Sequence, residues 1–191
     1  MAKTEMQKMR SQEEYSFRDP EVAASLEHAR RLCAKLASTD MCDSGYRAAI
    51  EELIPGIPLD SCVCPPFKCD HGHGIRMGAN SFINSNCTIL DSATVDIGDN
   101  VKIGPCCQLY TPVHPMGHLS RRKPVEKALP ISIGDDTWLC GGVVVCPGVS
   151  IGRRCIIAAG AVVTKDIPDD SMAAGVPAEV KKRLPREGSA E

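Results

Sequence analysis

Apolar residues in the first third of the chain recur at three- and four-residue spacing. Val22, Leu26, Ala29, Cys33 and Leu36 form one stripe. Asp19-Pro20-Glu21 precedes it and supplies a cap, a proline at the first helical position and an acid in the first turn. A second helix is predicted from near Ser44 through Ile50, Leu53 and Ile54, stopping at Pro55-Gly56. Residues 1–60 therefore read as a helical hairpin whose task is packing.

From about residue 75 the period becomes six. Ile97, Ile103 and Leu109 are six apart, and the register resumes at Ile133, Leu139, Val145, Ile151, Ile157 and Val163 after a gap of 24, itself a multiple of six. Met77, Ile83 and Ile89 keep the period but are offset by a two-residue slip before Ile97. The fifth position of each hexad is small or β-branched: Ser81, Cys87, Ala93, Val101, Cys107, Thr137, Val143, Val149, Cys155, Ala161. Neither a helix nor an alternating strand has this period. Three hexads make one coil of a triangular prism, with an apolar residue inward on each flat face and a small one near each corner. Residues 110–132 interrupt the repeat with Tyr110-Thr111-Pro112-Val113-His114-Pro115-Met116-Gly117-His118 and Arg121-Arg122-Lys123-Pro124. A long polar loop ejected from a regular solenoid is usually functional.

Composition fits such a prism. Seven aromatic residues in 191 leave the core to Val, Ile, Ala and Cys. Eleven cysteines, an odd number, accompany an N-terminus, Met1-Ala2-Lys3-Thr4-Glu5, without the apolar segment of a signal peptide. Reduced thiols and a cytoplasmic protein are expected, with Cys87, Cys107 and Cys155 as small buried residues. The net charge of −2 argues against nucleic acid or an anionic membrane as partner. The longest apolar-or-glycine run, Ile156 to Val163, is far shorter than the roughly 18 residues of a membrane helix. The expected organisation is a helical segment over 1–60, a β-helix over 61–185 with the excursion at 110–132, and a tail over 186–191.

The hexads, of the form [Ile/Leu/Val]-Gly-x-x-small-x, resemble the hexapeptide-repeat family, whose members fold as left-handed parallel β-helices. Phe67-Lys68-Cys69-Asp70-His71-Gly72, Asn84-Ser85-Asn86, Thr111-Pro112-Val113-His114-Pro115 and Trp138 narrow the resemblance, together with Val163-Thr164-Lys165-Asp166-Ile167-Pro168 and Ala173-Ala174-Gly175-Val176-Pro177-Ala178. They look like the maltose and galactoside O-acetyltransferases and their nodulation relatives, nearly to the end of the chain. The resemblance implies a mainly β fold, transfer of acetyl from acetyl-CoA to a sugar hydroxyl, no metal, and a homotrimer with active sites between subunits.

A hydroxyl is a poor nucleophile at neutral pH, so a base must take its proton as it attacks the thioester. Histidine suits this task, and His114 matches the family's catalytic position. His118 is read as structural and His28 as exposed. The resemblance assigns Asp70 and Asn84 to the acceptor, Trp138 to a wall beside the His114 loop, and a backbone oxyanion donor to Gly141. It places coenzyme A along Ala159, Thr164, Lys165 and Lys182. Three departures alter the pattern: Glu179 stands where relatives often carry a basic coenzyme A contact, Ser92 replaces an acidic acceptor contact, and Tyr15-Ser16-Phe17 lacks an acid. A zinc site of the β-helix carbonic anhydrases is set aside because the repeats hold no histidine. Cys62, Cys64, Cys69, His71 and His73 remain a second metal candidate whose spacing matches no known knuckle. The alternative to an enzyme is a non-catalytic β-helix scaffold, which would have no reason to keep His114, Asp70, Asn84 and Lys165 together.

Overall fold

Each turn of the hexad repeat becomes three short strands, one on each face of a prism. In the computed structural model, which describes residues 2–185, face one stacks Cys62–Val63, Phe82–Ile83, Lys102–Ile103, Trp138–Leu139, Ile156–Ile157 and Ser171–Ala174, with Glu179–Arg183 added antiparallel. Face two stacks Phe67–Cys69, Cys87–Leu90, Gln108–Tyr110, Val144–Val145 and Val162–Val163. Face three stacks Ile75–Met77, Val95–Ile97, Ile131–Ile133 and Ser150–Ile151. The chain visits the faces in that order and pairs in parallel from coil to coil. This is the left-handed parallel β-helix that the repeat implied. The tail at 186–191 lies outside the described residues.

The register is the predicted one. Ile97, Ile133 and Ile151 stack, as do Ile103, Leu139 and Ile157, and Leu109, Val145 and Val163. None of these nine is more than 4 % exposed, so each contributes on the order of 1.5–3 kcal/mol of apolar burial. The fifth-position residues, Cys87, Cys107 and Cys155 among them, are buried as well. The hexad's Gly-Asp-Asn turn has a steric logic at Gly98, where a Cβ would meet Oδ1 of Asp135 at 2.3 Å. Asn100 then turns the corner in the left-handed region at φ 57°.

The two-residue slip has a location. Ile83 pairs with Ile103 and Ile89 with Leu109, twenty residues on, whereas Leu139 pairs with Ile157 and Val145 with Val163, eighteen on. The extra residues fall at the corner between faces two and three, around Asp70–Gly74 and Asp91–Thr94. The excursion leaves the next coil from the same corner. Tyr110 and Ile131 still belong to rungs, so the departure itself spans 111–130. A bond from Leu129 N–H to the Thr111 carbonyl (2.9 Å) closes its neck.

Three helices, not two, precede the first coil. α1 (Glu5–Arg10) starts at a Thr4/Gln7 capping box, a signal present in the sequence but not used above. α2 (Pro20–Ala37) and α3 (Ser44–Leu53) follow the predicted stripes. α3 is fixed to the first rung by the Tyr46 hydroxyl, which donates to the Val63 carbonyl (2.7 Å) and accepts from Val63 N–H (3.0 Å). Among the described residues, no helix is long and apolar enough to cross a membrane.

Candidate active site

The wide corner between faces two and three opens into a cavity of about 420 Å³ lined by Tyr15, Asp70, Ser92, Pro112, His114 and Glu126 among others. Its roof is a three-stranded antiparallel ribbon. Within the excursion, Pro112–Val113 pairs with Val125–Ala128, and the latter pairs on its other edge with Tyr15–Ser16. His114, the residue after this ribbon's first strand, projects half-exposed. Its Nδ1 lies 3.6 Å from Oε2 of Glu126, and its ring meets that of Phe17 edge-on at 6.2 Å between centroids. A carboxylate at Nδ1 favours the tautomer that leaves Nε2 free to accept a proton. Glu126 is itself nearly buried, and its Oε1 accepts a hydrogen bond from the buried Tyr15 hydroxyl.

Asp70 faces His114's partner from the floor. Burial first, then the negative charges of Asp91 and Glu126, push its carboxyl up to about 7 against the opposing hydrogen bond with Ser92. Asp91 is fully buried and shapes the corner. Its Oδ1 accepts from the N–H groups of Asp70 (3.1 Å) and His71 (2.8 Å), and its Oδ2 from that of Gly74 (2.9 Å). Arg10 of α1 donates to the carbonyls of Asp91 (2.6 Å) and Ser92 (3.1 Å). Ser92, noted above as a departure from an acid in the family pattern, therefore spares Asp70 a third carboxylate neighbour.

The other residues singled out by the sequence stand elsewhere. Asn84, Gly141 and Ala159 line up along the corner between faces one and two, and rungs there are joined by Gly142 N–H to the Pro105 carbonyl (2.8 Å) and Gly160 N–H to the Gly141 carbonyl (3.0 Å). Asn84 Oδ1 accepts from Ser85 N–H at 2.7 Å. Trp138, 49 % exposed, stands on face one and does not line the His114 cavity within this chain. Thr164 and Lys165 are exposed at the wide corner beyond the excursion, and Lys182 is exposed on the antiparallel end strand. The structure thus gathers Asp70, Ser92 and His114, and sets Asn84, Trp138, Gly141 and Ala159 on another side of the prism.

Two family models cover the repeats: "Bacterial transferase hexapeptide (six repeats)" at residues 130–165 and "Hexapeptide repeat of succinyl-transferase" at 74–104. Nodulation protein L of Rhizobium meliloti is 38 % identical over 186 residues, covering 95 % of this chain and 100 % of its own. The crystal structure of a maltose O-acetyltransferase from Clostridium difficile superposes with a TM-score of 0.93 at 34 % identity, covering 97 % of this chain and 100 % of that one. The chain belongs to the hexapeptide-repeat acetyltransferases. A further member, from Vibrio cholerae, was solved with acetyl coenzyme A bound; it matches with a TM-score of 0.90 at 36 % identity over 96 % of this chain and 100 % of that one.

In this acetyltransferase the second metal candidate does not converge. Cys62 belongs to face one and Cys64 follows it at the corner, Cys69 lies beside Cys33 with its Sγ at 3.7 Å, and His71 and His73 meet at the Ser25 hydroxyl (2.8 and 3.1 Å). Burial lowers the His71 imidazole to about 4. Among the described residues no group of three or more His, Cys, Asp or Glu side chains could hold a metal ion. His28 is exposed near Glu52 (3.4 Å), and His118 is exposed in the excursion. A larger concavity of about 760 Å³ runs down face three past Arg76, Asp96 and Arg153, and it contains none of the predicted site residues. Sequence reasoning missed Glu126, and it noted Tyr15-Ser16-Phe17 only for the acid that stretch lacks, not for the Tyr15 and Phe17 side chains that line the cavity. No periodicity marks the strand of Glu126: Val125-Glu126-Lys127-Ala128 reads apolar, polar, polar, apolar, and it buries the charged Glu126.

Proposed function

We propose that this protein transfers acetyl from acetyl-CoA to a hydroxyl of a sugar, with His114 as general base. The observation that carries the reading is the pairing of His114 Nδ1 with Glu126 in a cavity whose floor presents Asp70. Nε2 takes the proton of the acceptor hydroxyl as its oxygen attacks the thioester carbonyl, and the imidazolium returns it to the departing thiolate, so the C–O bond forms as the C–S bond breaks. Asp70 accepts hydrogen bonds from neighbouring hydroxyls and presents one oxygen to the base. The small residues along Gly141 and Ala159 suit a thin pantetheine arm, the Gly141 N–H serves as oxyanion donor, and Thr164, Lys165 and Lys182 suit phosphates.

Two sides of one prism hold these groups, and a second copy that laid its Asn84–Gly141–Ala159 corner against this chain's His114 would close the site. Met116, 90 % exposed at the excursion's tip, and the exposed Leu119 favour such a contact. A homotrimer with active sites between subunits satisfies this for every copy. The eleven free cysteines suit a reducing compartment, and we place the reaction in the cytoplasm.

The test is His114→Ala, assayed with saturating acetyl-CoA over a panel of sugars. The turnover number should fall roughly 10²–10⁴-fold with the fold and oligomer intact, while the KM for acetyl-CoA changes little. A rate within a few-fold of the parent would remove His114 as base. Absence of transfer by the parent itself across the panel would favour the scaffold alternative.

A further inference from the structure

Residues 4–17 look like packing in the sequence, yet they hold both halves of the cavity. Arg10 grips the corner carbonyls behind Asp70. Five residues later, Tyr15 sits opposite Glu126 in the antiparallel ladder, and Phe17 N–H donates to the Pro124 carbonyl at 3.2 Å. Met9, Tyr15 and Val22 form a small apolar cluster of their own, packed with Met6, Phe17 and Leu26 and separate from the prism core. The segment is therefore a distinct clasp over the site.

The Tyr15 hydroxyl is buried and donates to one oxygen of Glu126, the carboxylate whose other oxygen faces His114. A carboxylate with a single flexible torsion at its end has two equivalent oxygens and a broad rotamer well. Anchoring Oε1 settles which oxygen faces the imidazole and at what angle. Without the anchor, Glu126 is free to turn away from the ring, and the cavity offers a reason for it to move, because Asp70 carries charge of the same sign nearby. The phenol is well suited to the anchoring role: burial and the neighbouring carboxylates hold it protonated, so it remains a donor.

We propose that Tyr15 is a positioning residue for the general base: its hydroxyl pins Oε1 of Glu126, so that Oε2 holds Nδ1 of His114 and the ring presents Nε2 to the acceptor. The inference rests on His114 being the base, as proposed above. It also makes the ordering of the N-terminal clasp a condition of full turnover.

Tyr15→Phe removes the donor and keeps the ring and the strand pairing. It should lower the turnover number about 10-fold, the lower end of the range for losing a group that orients a catalytic imidazole, and leave the KM for acetyl-CoA within two-fold. In a Glu126→Gln background the same substitution should cost less than two-fold, because the route through which it acts is already broken. The tautomer of His114, read from two-bond ¹H–¹⁵N spectra of histidine-labelled protein, should be a single Nδ1–H form in the parent and mixed in both Tyr15→Phe and Glu126→Gln. A turnover number within two-fold of the parent, an equal loss in the two backgrounds, or an unchanged tautomer in Glu126→Gln would each overturn the proposal. If Tyr15→Phe fails to fold, the Glu126→Gln spectrum decides. A parent-like rate in His114→Ala would instead remove the base, whereas an inactive His114→Ala with a normal Tyr15→Phe removes only the role of Tyr15.

Discussion

The backbone N–H of Asp70 donates to Oδ1 of Asp91 at 3.1 Å, so the residue that builds Asp70's corner also opposes its charge. The two effects have opposite consequences. The hydrogen bonds fix where Asp70 stands, and the negative charge beside it adds to the larger effect of burial; together with Glu126, these raise its carboxyl to about 7.

Acceptor binding should therefore depend on pH. Above about 7 Asp70 is a carboxylate able to accept from the hydroxyls of the proposed acceptor; below it, the group is a neutral acid with less accepting capacity. The acceptor KM should fall as pH rises through about 7, and this inflection should vanish in Asp70→Asn. The stability sign follows from the raised pKa. The folded state keeps a proton that the unfolded chain loses near 4, so stability from this group declines as pH rises from about 4 to about 7 and is flat above. Thermal midpoints of parent and Asp70→Asn across that window would show the difference.

Asp91→Asn should destabilise the fold by about 1–3 kcal/mol, because an amide can accept on one side only and its NH₂ would face the Gly74 N–H without a partner. Urea unfolding measures the loss. The acceptor KM should rise with it, since Asp70 and His71 share the same acceptor atom.

Glu179 accepts a hydrogen bond from Lys181 at 3.0 Å, and that bond, then the charges of Lys181 and Lys165, hold its carboxyl below the usual range. If the proposed coenzyme A site holds, Glu179 competes with a phosphate for these lysines. Glu179→Gln should lower the KM for acetyl-CoA a few-fold at low salt, and the gain should shrink as ionic strength rises. Lys165→Ala should raise that KM while the rate at saturation stays near the parent's.

Leu139→Ala tests the rungs. The side chain is fully buried between Ile103 and Ile157, and the cavity left behind should cost about 2–5 kcal/mol by chemical denaturation.

The prism was legible because period six leaves one residue of each hexad inward with no alternative, and Ile133, Leu139 and Val145 duly point to the core. The helices α2 and α3 were legible from their stripes. The offset before Ile97 was visible, but not its meaning: a widened corner repeated in two coils and then opened by the excursion. Half of the cavity was hidden for a different reason. Tyr15 and Glu126 lie 111 positions apart and meet through a two-residue strand pairing, too short for any periodicity to register. The excursion, read as an irregular loop, is a ribbon because Tyr15–Ser16 supplies its outer strand. Asn84, Trp138 and Gly141 matched the family motif, and a motif does not tell which corner of a prism a residue occupies.

The closed neck between Thr111 and Leu129 has a consequence for how such a protein changes over time. The coil enters and leaves the excursion through one hydrogen-bonded doorway, so the rungs above and below are indifferent to what is strung between. The part of the insert beyond its two strands, between Val113 and Val125, makes no rung of the prism and is the segment whose length is free to vary. On the proposed reading, acceptor recognition is thereby split between this insert, which carries His114 and Glu126, and the frame, which carries Asp70.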